Sequence, residues 1–159
     1  MKKDLGVLQA VWPMPVLMIG TYGEDGTVDV MNAAWGQICD MDKVILFLSE
    51  DHKTTVNLQQ RKAFTVALAD KDHVEAADFF GIASGNTMAD KFVRTGYRAV
   101  RSERVDAPII EEFPLVMECE LAEIINTENV YGIVGKIVNV KAEEEVLDEK
   151  GKVDVTKLG

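Results

Sequence analysis

Ser49, His52, Lys53 and Thr54 stand together in the stretch SEDHKTTVNL, residues 49–58, directly after the apolar run Val44-Ile45-Leu46-Phe47-Leu48. A buried strand that gives way there to a helix leaves the first N–H groups of the helix unpaired and sets the positive end of its dipole at the same place. With a lysine and several hydroxyls alongside, such a junction is a site for a small anion, and a phosphate monoester fits it. The same residues read equally as an ordinary helix start, with Ser49 or Asp51 as the cap and Lys53 in water. The glycines of a P-loop are absent.

Two other stretches have the composition of ligand-facing segments. In MNAAWGQI, residues 31–38, Ala33, Ala34 and Gly36 would let a flat ring approach the backbone, with Trp35 as wall or lid. A tightly packed strand end with Trp35 in the core is the competing reading, and the burial habit of Trp favours it. In SGNTMADKF, residues 84–92, a glycine-bearing loop leads into Asp90-Lys91-Phe92. Read locally, that is a loop, a helix cap and a solvated charge pair worth little.

The elements that must position these segments follow from hydrophobic pattern. PVLMIGTY (15–22) is apolar almost throughout, as a strand covered on both faces would be, and the turn residues GEDGT join it to VDVMNAAW (28–35) as a hairpin. KVILFLS (43–49) and AFTVALA (63–69) are further strands; in the latter Phe64, Val66 and Leu68 alternate with Thr65, Ala67 and Ala69. HKTTVNLQQRK between them is free of Gly and Pro and suits a helix of two to three turns. Asp72 and Glu75 have capping-box spacing at the start of a second helix, HVEAADFFGIA, whose His73 is expected at the surface with no partner. PLVMECELAEIIN (114–126) alternates Met117, Cys119 and Leu121 with Glu118 and Glu120, which predicts one wet face, and YGIVGKIVNVKAEEEV (131–146) reads as its hairpin partner. Five or six mainly antiparallel strands with short helices predict a small β-barrel; a parallel nucleotide-binding sheet is disfavoured because the βαβ rhythm does not recur.

Composition narrows the function classes. The chain has 159 residues, 47% of them hydrophobic, enough for a single domain with one ordinary core. Its 27 acidic and 17 basic side chains give a formal charge of −10, a surface that repels nucleic acid and anionic lipid. No nucleic-acid or membrane partner is expected. The longest apolar runs fall far short of the ~20 residues that span a bilayer. The opening Met-Lys-Lys-Asp-Leu-Gly lacks the apolar core of a signal peptide, so the cytoplasm is the expected compartment. Cys39 and Cys119 have no CxxC spacing and no His cluster, and two half-buried free thiols are expected.

PVLMIGTYGEDGTVDVMNAAW, then LSEDHKTTVNLQQRKAFTVAL, then SGNTMADKF, taken in that order, resemble the flavin reductase-like family of FMN-binding split barrels, and within it the flavoredoxin-type proteins, from about Pro15 to about Val140. The His-Lys-Thr-x-x-Asn stretch together with Ser-Gly-x-x-x-x-Asp-Lys-Phe carries the resemblance; either alone is weak. It implies a split β-barrel of antiparallel strands with short helices, mainly β in class, one domain over residues 1–159, a homodimer holding one FMN per subunit near the subunit interface. Ser49, His52, Lys53 and Thr54 match its flavin phosphate and ribityl contacts, Asn57 its closing asparagine, and Asn32, Ala33, Ala34 and Trp35 the segment beside the isoalloxazine ring. Ser84, Gly85, Asp90 and Lys91 match the later motif, as FMN contacts or as loop supports. Members pass electrons from NAD(P)H or a redox protein to flavin, ferric chelates or other small acceptors, with the chemistry on the ring and no catalytic dyad or nucleophile from the protein. One departure from the family pattern stands out: relatives usually continue past an ending like EKGKVDVTKLG with a carboxy-terminal piece that often packs near the flavin site, and that piece is expected to be missing here, which bears on how a second substrate is bound. Three functions stay open: a reductase or electron carrier, a flavin-binding module of a larger redox system, and a barrel that has lost its ligand.

Overall fold

The computed structural model describes residues 1–159. In chain order the elements are β1 (Leu17–Tyr22), β2 (Val28–Ala33), β3 (Gly36–Asp40), β4 (Lys43–Phe47), α1 (Lys53–Arg61), β5 (Ala63–Leu68), α2 (Val74–Ile82), α3 (Lys91–Arg94), β6 (Ala99–Arg101), β7 (Pro108–Ile110), β8 (Leu115–Asn126) and β9 (Tyr131–Ala142). Seven strands form one sheet in the order β2-β1-β5-β8-β9-β4-β3, antiparallel at every pairing, and β6 and β7 form a separate ribbon. Nine strands replace the expected five or six. β3, β6 and β7 escape the hydrophobic pattern because they are three to five residues long and carry no clean alternation.

The two edge strands, β2 and β3, are consecutive in the chain, with only Ala34 and Trp35 between them. An open sheet would place those edges about 29 Å apart, and the connection spans about 10 Å at most. The sheet therefore curls until its edges meet, and Leu17 of β1 packs beside Gly36 of β3, where an added β-carbon would lie 2.8 Å from Leu17 Cδ1. This is a split barrel, mainly β in class.

One core fills the barrel. Leu17, Ile19, Val44, Leu46, Phe64, Val66, Cys119 and Ile133 point inward, and Leu48 and Leu58 close one end. A second core lies outside β1, β2, β5 and β8, where Met18, Val30, Ala67 and Val116 meet Ala77 and Phe80 of α2, Phe92 of α3 and Ile109 and Ile110 of β7. β1 is thus covered on both faces, as its unbroken apolar run predicts, and Phe64 and Val66 part from Ala67 across β5 as their alternation predicts.

Three expectations fail. Glu118 is fully buried, not on a wet face: its carboxylate accepts hydrogen bonds from Ser102 Oγ and Asn139 Nδ2 beneath the β6–β7 ribbon. The turn before α2 is capped by Asp70, whose Oδ1 accepts from the Asp72 and His73 N–H groups at 3.0 and 2.9 Å, so Asp72 and Glu75 form no capping box. His73 is partnered: its Nδ1 lies 2.7 Å from Asp70 Oδ1, and its ring meets Tyr97 and Phe113 edge-on at 5.8 Å. The cysteines are not alike either, since Cys39 is exposed and Cys119 is buried. No helix is long and apolar enough to cross a membrane.

Candidate functional site

The strand-to-helix junction leaves a helix start uncapped. Leu48 is buried beneath it, the chain turns through Ser49 to Asp51, and α1 starts at Lys53 with His52 as the cap residue. No side chain caps the helix, neither Ser49 nor Asp51, and its first turn carries no acid, so its leading N–H groups have no side-chain acceptor. His52 Nδ1 is likewise buried without a partner. The first turn holds Lys53 and no acid, which gives the helix start a positive pole even though Asp51 precedes it and the Asp29 carboxylate accepts from Thr54 Oγ1. α1 is held down by Thr55, whose Oγ1 donates to Ser49 O at 2.8 Å, and by buried Asn57, whose Nδ2 donates to Thr21 Oγ1 at 3.1 Å.

Three adjoining chambers meet at this pole. The largest, about 740 Å³, is walled by Ala33, Ala34, Trp35, Phe47, Ser49, His52 and Tyr131. It is mostly apolar with few polar groups, the usual make-up of a site for a flat organic molecule. Trp35 is 58% exposed at its rim rather than packed in the core. Its backbone is fixed by the Phe47 N–H, which donates to Trp35 O at 2.8 Å, so the ring projects from a rigid edge. Tyr131 OH accepts from Gln59 Nε2 at 2.6 Å, and burial, with a contribution from Glu50, pushes its phenol pKa up.

A chamber of about 160 Å³ shares Met31 and His52 with the first and adds Lys53, Thr54, Ser84, Gly85 and Lys91. A third, about 410 Å³, shares Lys53 and Gly85 with the second and reaches Asp29 and Asn57. Gly85 is required where it stands, since a β-carbon there would fall 2.5 Å from Asp29 Oδ1 and 3.0 Å from Lys53 Cγ. The loop around it is tied to the junction by Asn86, whose Nδ2 donates to Asp51 O at 2.9 Å.

The structure thus brings Asn32, Ala33, Ala34, Trp35, Ser49, His52, Lys53, Thr54, Asn57, Ser84, Gly85 and Lys91 to the walls of contiguous chambers. Asp90 is the exception: it lies outside all three, exposed, and binds Arg94 Nε at 2.9 Å. Asp90 and Lys91 are accordingly no charge pair. Lys91 is 3% exposed and turns inward to Asp29, Nζ to Oδ1 at 3.0 Å. Besides Lys91, three assigned side chains are committed elsewhere: Asn32 Nδ2 donates to Ala77 O at 2.8 Å, Thr54 Oγ1 to Asp29 Oδ2 at 2.6 Å, and Asn57 Nδ2 to Thr21 Oγ1 at 3.1 Å. Asp29, Met31, Phe47 and Tyr131 were not singled out by sequence. Asp29 did leave a signal, an acid inside the strand VDVMNA on the same face as Met31 and Ala33.

A curled antiparallel sheet with a helix N-terminus opening on an apolar trough defines the split-barrel class of the flavin reductases. Residues 10–156 match the family model described as flavin reductase like domain, and the chain belongs to that family. It is similar to flavoredoxin of Desulfovibrio vulgaris (Miyazaki F), with 34% identity and a TM-score of 0.93 over 99% of this chain and 85% of that one. It shares its fold with flavoredoxin from Methanosarcina acetivorans, at 24% identity and a TM-score of 0.86 over 99% of this chain and 84% of that one. An FMN-binding protein from Thermus thermophilus shares the fold at 21% identity and a TM-score of 0.77, over 97% of this chain and 86% of that chain.

Proposed function

We propose that the protein is an FMN-binding flavoprotein that passes electrons from a reduced nicotinamide or a redox protein to a small acceptor. The observation that carries this reading is the uncapped start of α1, where unpartnered N–H groups, His52 and Lys53 meet at the end of a 740 Å³ apolar chamber. A phosphate seated there answers the N–H groups, and a planar ring extending from it reaches Ala33, Ala34 and Trp35. The resemblance to flavoredoxin at 34% identity, and to a relative described as FMN-binding, supports FMN in particular.

Bound flavin supplies the redox chemistry. The chain's own residues hold and shield it. Lys53 and the α1 N–H groups bind the anion, small Ala33 and Ala34 give the ring close access to backbone, and Trp35 and Phe47 keep water from it. Trp35, Ile38, Phe47 and Val130 also leave an exposed apolar surface beside the large chamber, which supports a homodimer with its second copy covering that edge.

Purification tests the reading. The protein is expected to be yellow and to release FMN on denaturation, or to take it up when reconstituted; a colourless protein that binds no added flavin would contradict it. Anaerobic titration separates donors. Bleaching by NADH or NADPH identifies a reductase, and bleaching only by a reduced ferredoxin-like protein identifies a carrier.

A further inference from the structure

Asp29 touches three segments of the site: α1, the Gly85 loop and α3. Its Oδ2 accepts from Thr54 Oγ1 in the first turn of α1 at 2.6 Å, and its Oδ1 lies 3.0 Å from Lys91 Nζ at the start of α3. Gly85 of the intervening loop packs directly against Oδ1. Asp29 and Lys91 are both almost wholly removed from solvent, 7% and 3% exposed in their side chains. The ion pair is not aligned as a hydrogen bond, so Oδ1 has no donor of its own, while Lys91 Nζ donates to Ala83 O at 3.3 Å. A buried pair with this geometry adds little to stability compared with apolar packing. It does place one positive and one negative charge, in near balance, at the walls of the chambers that meet at Lys53 and Gly85.

We propose that Asp29 is the positioning residue of this site: one carboxylate sets Thr54 and Lys91 in place, and its charge, balanced against Lys91, adjusts the midpoint potential of the bound cofactor. The proposal rests on the FMN reading above. A cation at the wall of a flavin site favours the electron-rich reduced form and an anion opposes it, and at a buried position little salt screens either. With both charges present the two effects offset each other.

The test compares Asp29→Asn, Lys91→Gln and the double variant, each reconstituted with FMN, by anaerobic equilibrium titration against reference dyes. Asp29→Asn is expected to raise the midpoint potential, Lys91→Gln to lower it, and the double variant to return close to the wild-type value. A residue that only supports the fold would move neither potential, or move both the same way, and either result overturns the proposal. Thr54→Val provides a second check that leaves the charges alone. It is expected to weaken FMN binding several-fold with the potential unchanged, and undiminished affinity contradicts the link through Asp29 Oδ2. Wild-type protein that binds no FMN overturns the cofactor reading itself, whereas tight wild-type binding without opposed shifts overturns only the role of Asp29.

Discussion

The Asn32 amide and the Gly81 backbone are in direct contact: Nδ2 donates to Ala77 O one turn earlier on α2, and a β-carbon at Gly81 would sit 2.6 Å from Asn32 Oδ1. The contact fastens α2 to β2 one residue before the Ala33-Ala34-Trp35 wall. Gly81→Ala raises intrinsic helix propensity by about 1 kcal/mol. Displacing the Asn32 amide costs about 1–3 kcal/mol. Net destabilisation is therefore expected in chemical denaturation, and a more stable variant would show that Asn32 yields freely.

Gly85→Ala should act on binding more than on stability. Its β-carbon would press on Asp29 Oδ1 and on the Lys53 stem, both at the chamber walls. Flavin affinity is expected to fall about tenfold or more, since a slight misplacement of a charged donor forfeits a bond worth about 1.5–3 kcal/mol. A binding titration reads it, and unchanged affinity would remove Lys53 from the anion contact.

Trp35 gives the ring position its own signal. The tryptophans are Trp12 and Trp35, both exposed, and of the two Trp35 alone walls the large chamber. Flavin binding is expected to quench the fluorescence of the wild type strongly and that of Trp35→Phe only slightly. Equal quenching in both proteins would place the ring elsewhere.

Cys119 links the core to pH. Burial, helped by the neighbouring Glu118, pushes its thiol pKa from 9.0 up to about 12. The folded state holds that proton after the unfolded state has released it. The contribution to stability is therefore complete below pH 9 and is lost as pH rises from 9 towards 12, by about 1.4 kcal/mol per unit at most. Cys119→Ala should flatten the alkaline limb of the stability profile. In the native protein at pH 8 a thiol reagent should modify Cys39 and spare Cys119 until denaturant is added.

How much of this was legible in the sequence depended on the range of the interaction concerned. β1, β5 and α1 declare themselves through local pattern, and the anion pole at residues 49–54 follows from a strand-to-helix junction rich in donors. Glu118 departs from the expected wet face because alternation along β8 cannot announce that Ser102 and Asn139 close over it from elsewhere in the chain. The local reading of Lys91 as half of a solvated charge pair fails for the same reason, its partner Asp29 standing sixty-two positions earlier. Trp35 defied the burial habit of its type because curling the sheet leaves its short edge connection at a rim.

The central claim is that α1 begins at a flavin phosphate. Calorimetric titration of the flavin-free protein with FMN and with riboflavin, which differ by that phosphate alone, tests it most directly. FMN is expected to bind at least about a hundredfold more tightly, and Lys53→Ala to narrow the gap by about tenfold or more, in line with the strength of charge-assisted hydrogen bonds. Equal affinity for the two flavins, or a gap that survives Lys53→Ala undiminished, would contradict the account.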